Sequence, residues 1–186
     1  MARSPHRDDP NGIVPYRPHN RAQAPVEFTD AQPPHLGAAP GGWTQVAVRG
    51  GAAQVVAVDV LPMDPVPGSV GLLGDFTEPA IQERLLEMLG GKVDLVLSDM
   101  APNTTGHTAT DHLRIMALAD AALEFAVEVL ADGGAFVAKV FQGGAERHIL
   151  DRLKRRFATV RHAKPPASRK EWSELYVVAI GFRSGF

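Results

Sequence analysis

Two β-branched runs that each end in an aspartate constrain the fold of this chain more than any other feature. Ala53-Gln54-Val55-Val56-Ala57-Val58-Asp59 and Lys92-Val93-Asp94-Leu95-Val96-Leu97-Ser98-Asp99 are nearly continuous apolar stretches. Runs of that kind read as parallel strands buried on two faces. Between them, 78–89 sets Ile81, Leu85, Leu86 and Leu89 at helical spacing and stops at Gly90-Gly91. That is the pattern of an amphipathic helix closed by glycine. The alternation continues with a helix over about 111–130 that ends at Ala131-Asp132-Gly133-Gly134, and a strand over 135–141. A helix over about 146–157, a strand near 159–162 and a last strand over 175–182 follow. A β-α-β series predicts an α/β domain.

The first forty residues obey different rules. They hold eight of the fifteen prolines, and no apolar periodicity runs between them. Residues 1–35 are therefore expected to be an atypical, extended or disordered N-terminal segment, and 36–186 the folded domain. At 186 residues with 45% hydrophobic and 22% charged residues, one domain is expected. There is no apolar run of membrane-spanning length, and the N-terminus MARSPHRDDP lacks a signal-peptide core, so a soluble, cytoplasmic protein is expected. The chain has no cysteine, which excludes disulfides, thiolate nucleophiles and cysteine metal sites. Carboxylates, lysines, histidines or a bound cofactor must carry any chemistry.

The strongest local motif is Leu36-Gly37-Ala38-Ala39-Pro40-Gly41-Gly42-Trp43-Thr44-Gln45, a small-residue loop opening a helix. Such a loop lets backbone N–H groups approach a ligand, although an ordinary glycine turn has the same composition. Neither Gly-x-Gly-x-x-Gly nor a Lys-Ser/Thr phosphate loop is present, which weakens dinucleotide and nucleoside-triphosphate readings. Asp59, at the end of the next strand, could accept both hydroxyl hydrogens of a ribose. Asp75, in Leu73-Gly74-Asp75-Phe76, reads either as an adenine contact or as a turn or N-cap aspartate before the next helix. Asp99 again follows a buried strand. Open α/β sheets bind ligands at the carboxyl ends of their strands, so the three acids point to one crevice.

These residues resemble the FtsJ/RrmJ-type methyltransferases, which methylate a ribose 2′-hydroxyl of RNA with S-adenosylmethionine. The matching text is 36–45, Val-Asp-Val-Leu-Pro-Met-Asp-Pro at 58–65, Gly-Asp-Phe at 74–76, Ser-Asp-Met-Ala-Pro-Asn at 98–103, Lys-Val-Phe-Gln-Gly at 139–143 and Ser-Glu-Leu-Tyr-Val-Val-Ala at 173–179. The resemblance implies a Rossmann-like class I methyltransferase with a mostly parallel sheet, a final antiparallel strand and helices on both faces. It implies that Gly41 and Trp43 contact the methionine part of S-adenosylmethionine, Asp59 its ribose and Asp75 its adenine, with Asp99 also at the cofactor. Asp99, Lys139 and Glu174 match three members of a Lys-Asp-Lys-Glu tetrad. A ribose hydroxyl is a poor nucleophile, so it must be aligned and lose its proton. Lys139 is the candidate for that task, because a lysine crowded into a desolvated, cation-rich site loses its proton more readily. Asp99 and Glu174 would steer it. The implied substrate is a uridine of large-subunit (23S-type) ribosomal RNA, met by a monomer within the large ribosomal subunit. A transfer- or messenger-RNA 2′-O-methyltransferase and a non-catalytic S-adenosylmethionine- or RNA-binding protein are the alternatives.

Arg152, Lys154, Arg155, Arg156, Arg161, Lys164, Arg169 and Lys170 suggest an RNA-facing surface that the formal charge of −2 conceals. A solvated helix face is the simpler reading of the helical part. His107 and His112, near Asp111, lack a third ligand at convincing spacing, and no metal is expected. Upstream of Leu36 the resemblance fails. The tetrad's first lysine is missing, and Thr29-Asp30-Ala31-Gln32-Pro33-Pro34-His35 replaces an apolar strand ending in aspartate. Two prolines there predict a first strand that is degraded or missing.

Overall fold

A computed structural model describes residues 28–102, 105–141, 146–163 and 174–185, with the side chains of Thr108, Phe141, Glu146 and Glu174 outside that description. Seven strands form one sheet: β1 (Pro34–Leu36), β2 (Val55–Asp59), β3 (Ser69–Leu73), β4 (Val93–Ser98), β5 (Leu130–Phe141), β6 (Phe157–Ala163) and β7 (Glu174–Phe182). Four helices connect them: α1 (Gly42–Arg49), α2 (Pro79–Leu89), α3 (Thr108–Val129) and α4 (Glu146–Arg156). The strand order is β3-β2-β1-β4-β5-β7-β6. β7 runs antiparallel to both β5 and β6, and the remaining pairs are parallel. This is the expected α/β sheet with a final antiparallel strand.

Side-chain alternation builds a core on each face. Val56, Val58, Val96, Phe136 and Ala138 pack with Leu85 of α2, Leu123 of α3 and Leu153 of α4. Val55, Leu95, Leu97, Val137 and Val178 pack with Ala47 of α1. Helices therefore cover both faces. α1 leaves β1 toward one face and α3 leaves the adjacent, parallel β4 toward the other, so the strand order switches direction between them. A crevice opens at the carboxyl ends of strands at such a switch.

β1 forms despite its prolines, and the reason is positional. Pro34 is the first residue of the strand, where a missing donor is tolerated. Carbonyls supply much of the pairing: Val56 N–H donates to Pro33 O at 3.2 Å and Asp99 N–H to Leu36 O at 2.8 Å. The strand is degraded to three residues, all buried, but it is not missing. The boundary expected at residue 36 falls inside it. Ala31 is buried, and its carbonyl accepts from Ala53 N–H at 2.8 Å, so this end of the N-terminal segment packs on the domain.

β5 also differs from expectation, starting at Leu130 instead of Ala135. Gly133, at φ 83°, carries the strand through a conformation that other residues rarely adopt, and the β4–β5 register shifts between Val93 and Leu95. The turn residues at 131–134 are thus strand residues at an irregularity.

Candidate functional site

A cavity of about 600 Å³ opens at the carboxyl ends of the strands, with Gly37, Asp59, Asp75, Asp99, Arg114 and Lys139 in its wall. The structure thus brings four of the expected site residues together. Gly37 is held at φ 75°, and a Cβ there would lie 2.6 Å from Met100 N and Cα. Only glycine lets the β1 loop pass that close to the loop after β4.

Asp59 is fixed by the loop it faces. Its Oδ2 accepts Ala39 N–H at 2.8 Å and its Oδ1 accepts Leu61 N–H at 2.8 Å. Each carboxylate oxygen keeps a further lone pair for a ligand donor. Asp75 Oδ1 accepts both the hydroxyl and the N–H of Thr77, at 2.7 and 2.8 Å. The Thr77 hydroxyl, with the N–H second, holds the Asp75 carboxyl below its ordinary range. Asp75 closes a turn and lines the cavity, while Glu78, not Asp75, takes the α2 N-cap position.

Asp99 and Lys139 meet in the same wall. Lys139 Nζ lies 2.9 Å from Asp99 Oδ1, with the side chains 12% and 23% exposed. Tyr176 donates its hydroxyl to the same oxygen at 2.8 Å. Register explains the meeting: Ser98 pairs with Ala138, and Lys139 lies opposite Tyr176 across the antiparallel β5–β7 ladder.

Trp43 adjoins this group through Tyr176, whereas Gly41 lies by Met63 and Val66, and neither residue is in the wall of the cavity. Gly41 is the α1 N-cap at φ 104°. Trp43 has Tyr176 on one side, ring centroids 4.7 Å apart and tilted by 37°. Its other neighbour is His35, 6.1 Å away and 20° from parallel. His35 Nδ1 is hydrogen-bonded to Thr44 Oγ1 at 2.8 Å, and its buried Nε2 has no partner among the described residues. Burial lowers the His35 pKa to about 4, although the charges of Asp99 and Asp59 pull the other way. Sequence reasoning missed Tyr176 and the part played by His35. Tyr176 stood within a quoted motif, but only the β5–β7 register reveals its partner.

Glu174 pairs through its backbone with Phe141, near the site end of β7, and its side chain lies outside the described residues. The basic stretch divides. Arg152 is engaged by Asp120 at 2.7 Å and Glu124 at 3.6 Å. Lys154 and Arg155 are exposed at the end of α4, before β6 begins at the edge opposite the site, and Arg161 is exposed on β6. Lys164, Arg169 and Lys170 lie outside the described residues. Asp111, near His107, accepts the N–H and hydroxyl of Thr105 at 2.8 and 2.7 Å. Among the described residues no cluster of three His, Asp or Glu side chains could hold a metal, and no helix is long and apolar enough to cross a membrane.

The FtsJ-like methyltransferase family model matches residues 29–182. This chain belongs to that family. Among its relatives, the ribosomal RNA large subunit methyltransferase E of Granulibacter bethesdensis is 67% identical over 148 residues, covering 80% of this chain and 64% of that protein. The protein of the same name from Gluconobacter oxydans is 66% identical over 148 residues, 80% of this chain and 55% of its own length. This family member thus spans less than two thirds of each of those two relatives. A crystal structure of a ribosomal RNA methyltransferase from Plasmodium falciparum shares the fold, with a TM-score of 0.72 at 24% identity, over 83% of this chain and 87% of that one.

Proposed function

We propose that this chain transfers the methyl group of S-adenosylmethionine to a ribose 2′-hydroxyl of large-subunit ribosomal RNA. The observation that carries the proposal is the Asp99–Lys139 pair set in the same cavity wall as Asp59. Relatives named for large-subunit ribosomal RNA methylation supply the substrate.

The residues present fit S-adenosylmethionine. Asp59 has both oxygens anchored by backbone donors and retains acceptor capacity for two ribose hydroxyls. Asp75 and Phe76 lie in the cavity wall, where the resemblance assigns Asp75 to the adenine. Gly41 caps α1 and Trp43 lies in its first turn, and the resemblance assigns both to the methionine part of the cofactor. When bound, the cofactor supplies a sulfonium-activated methyl group.

This chain's residues then manage one proton and one oxygen. Lys139 holds the acceptor 2′-oxygen by a hydrogen bond and, as the proposed general base, takes the hydroxyl proton. Asp99 stabilises the resulting ammonium, and Tyr176 fixes the orientation of Asp99 through its hydroxyl. The resemblance gives Glu174, whose backbone opens β7, a part in the same task. Alignment of the hydroxyl with the methyl donor supplies most of the acceleration.

The test incubates the chain with methyl-labelled S-adenosylmethionine and unmethylated large ribosomal subunits. Label in an alkali-resistant dinucleotide is expected, because a 2′-O-methyl group blocks cleavage at the modified position. Label on a base would overturn the ribose assignment. One observation favours a second reading, a non-catalytic binder: among the described residues Lys139 is the single lysine in the cavity wall, and no lysine precedes Lys92 in the sequence. Cofactor binding by calorimetry without any label would support it.

A further inference from the structure

We infer that His35 is a positioning residue for the transfer site, acting through Trp43 and Tyr176 on the Asp99–Lys139 pair. The inference rests on the proposed activity and adds to it a residue remote from the reacting atoms.

A histidine is a costly choice for this place. His35 is 1% exposed in the centre of the sheet, between Ala57 of β2 and Leu97 of β4. An aliphatic side chain would fill such a position without leaving a buried nitrogen lacking a partner among the described residues. What the imidazole offers is a flat ring whose rotation can be fixed by a hydrogen bond. Thr44 Oγ1, 2.8 Å from Nδ1, provides that bond.

From this ring an unbroken series of contacts runs to the lysine. His35 lies near-parallel to Trp43, Trp43 packs on Tyr176, and the Tyr176 hydroxyl bonds the Asp99 oxygen that faces Lys139. Trp43 has His35 and Tyr176 as ring neighbours, and each of those rings is held by a hydrogen bond. Tilting the indole would displace the Tyr176 ring and draw its hydroxyl from Asp99. Lys139 would then share its acceptor with a less constrained partner, and the acceptor oxygen of the RNA would be aimed less well. Misplacement of this kind lowers turnover while leaving ligand affinity almost unchanged.

Two substitutions separate the ring from its hydrogen bond. His35→Asn keeps a polar atom near the Nδ1 position and loses the ring, whereas His35→Phe keeps the ring and loses the bond. The expected result is a kcat about tenfold lower for His35→Asn and less than threefold lower for His35→Phe. KM for RNA and calorimetric affinity for S-adenosylmethionine stay within twofold in both. A merely structural role would lower the melting temperature of both variants without separating kcat from KM.

A second readout does not depend on activity. The chain has five lysines, and acetic anhydride labelling read by mass spectrometry gives the acylation rate of Lys139 relative to Lys92. That ratio is expected to rise severalfold in His35→Asn and by a smaller factor in His35→Phe, which keeps a ring and loses its bond to Thr44. Thr44→Val, which frees the His35 ring without altering β1, should raise it less and in the same direction, and it decides the matter should His35→Asn not fold. Ratios and kcat values unchanged across His35→Asn and Thr44→Val would overturn the inference. Absence of methyl transfer by the unmutated chain would instead remove the proposed function, and the labelling ratios would still decide the positioning role.

Discussion

Lys139 and Asp99 stand forty positions apart in sequence and 2.9 Å apart in space, because the parallel register of β4 and β5 sets Ser98 beside Ala138. Both side chains are mostly buried, so solvent screens their attraction less than on an open surface. Removing one partner leaves the other without its compensating charge. Tyr176 shares the oxygen that Lys139 uses, which makes Asp99 the common acceptor of the site.

Asp99→Ala is therefore expected to cost more than either donor alone. It deprives both the ammonium and the phenol of their acceptor, at about 1–3 kcal/mol of stability. Methyl transfer should fall by at least about a hundredfold, of the order seen when positioned proton-transfer groups are lost. Thermal unfolding and steady-state rates, compared with Tyr176→Phe, check both parts. A Tyr176→Phe variant as impaired as Asp99→Ala would contradict this ranking.

Asp59 should act on affinity instead of rate. Asp59→Ala removes the proposed acceptors for two ribose hydroxyls and releases the Ala39 and Leu61 N–H groups. Titration calorimetry with S-adenosylmethionine should show a tenfold to hundredfold weaker Kd, corresponding to about 1.4–2.8 kcal/mol. An unchanged Kd would remove Asp59 from the cofactor site.

Acid stability should carry the signature of His35. Burial depresses its pKa to about 4 in the folded chain, against an ordinary value of 6.5. Above pH 6.5 the ring is neutral in both states and contributes no pH dependence. As the pH falls from there toward 4, the unfolded chain binds a proton that the folded chain refuses, so stability declines, by roughly 3 kcal/mol over the whole window. Melting curves between pH 7 and 5 should drop less steeply for His35→Phe than for the wild type. Parallel curves would show that the histidine is not the source.

Gly37→Ala tests how the cavity is kept open. The substitution forces a left-handed residue to carry a Cβ and drives that atom against the Met100 backbone at 2.6 Å. Backbone conformation alone costs about 1–2 kcal/mol, before the clash is relieved. Lower thermal stability and lost cofactor binding are expected together. Retention of both would mean that the loops after β1 and β4 are not locked to each other.

Much of this was legible in the sequence, and the residues show why. Val55–Asp59 and Val93–Ser98 are β-branched, buried on two faces and short, so periodicity and length identify them as strands. Acids that follow such strands converge because the sheet topology makes them converge, which is why Asp59, Asp75 and Asp99 were found from spacing and resemblance. β1 was harder to see. Three residues, one of them proline, carry no periodic signal, and the strand exists because β2 and β4 offer partners on both sides. The start of β5 at Leu130 was hidden for a related reason: Gly133-Gly134 has the composition of a turn, and only pairing with β4 draws it into the sheet. Tyr176 and His35 depend on side-chain contacts across strands distant in sequence, which local pattern does not encode.

The most direct test of the account is the single-turnover rate of methyl transfer to unmethylated large ribosomal subunits by the wild-type chain and by Lys139→Ala, with cofactor and RNA both saturating. The account predicts alkali-resistant label from the wild type and a rate at least about a hundredfold lower from the variant, with calorimetric cofactor affinity unchanged. A Lys139→Ala variant that transfers methyl at the wild-type rate would contradict it.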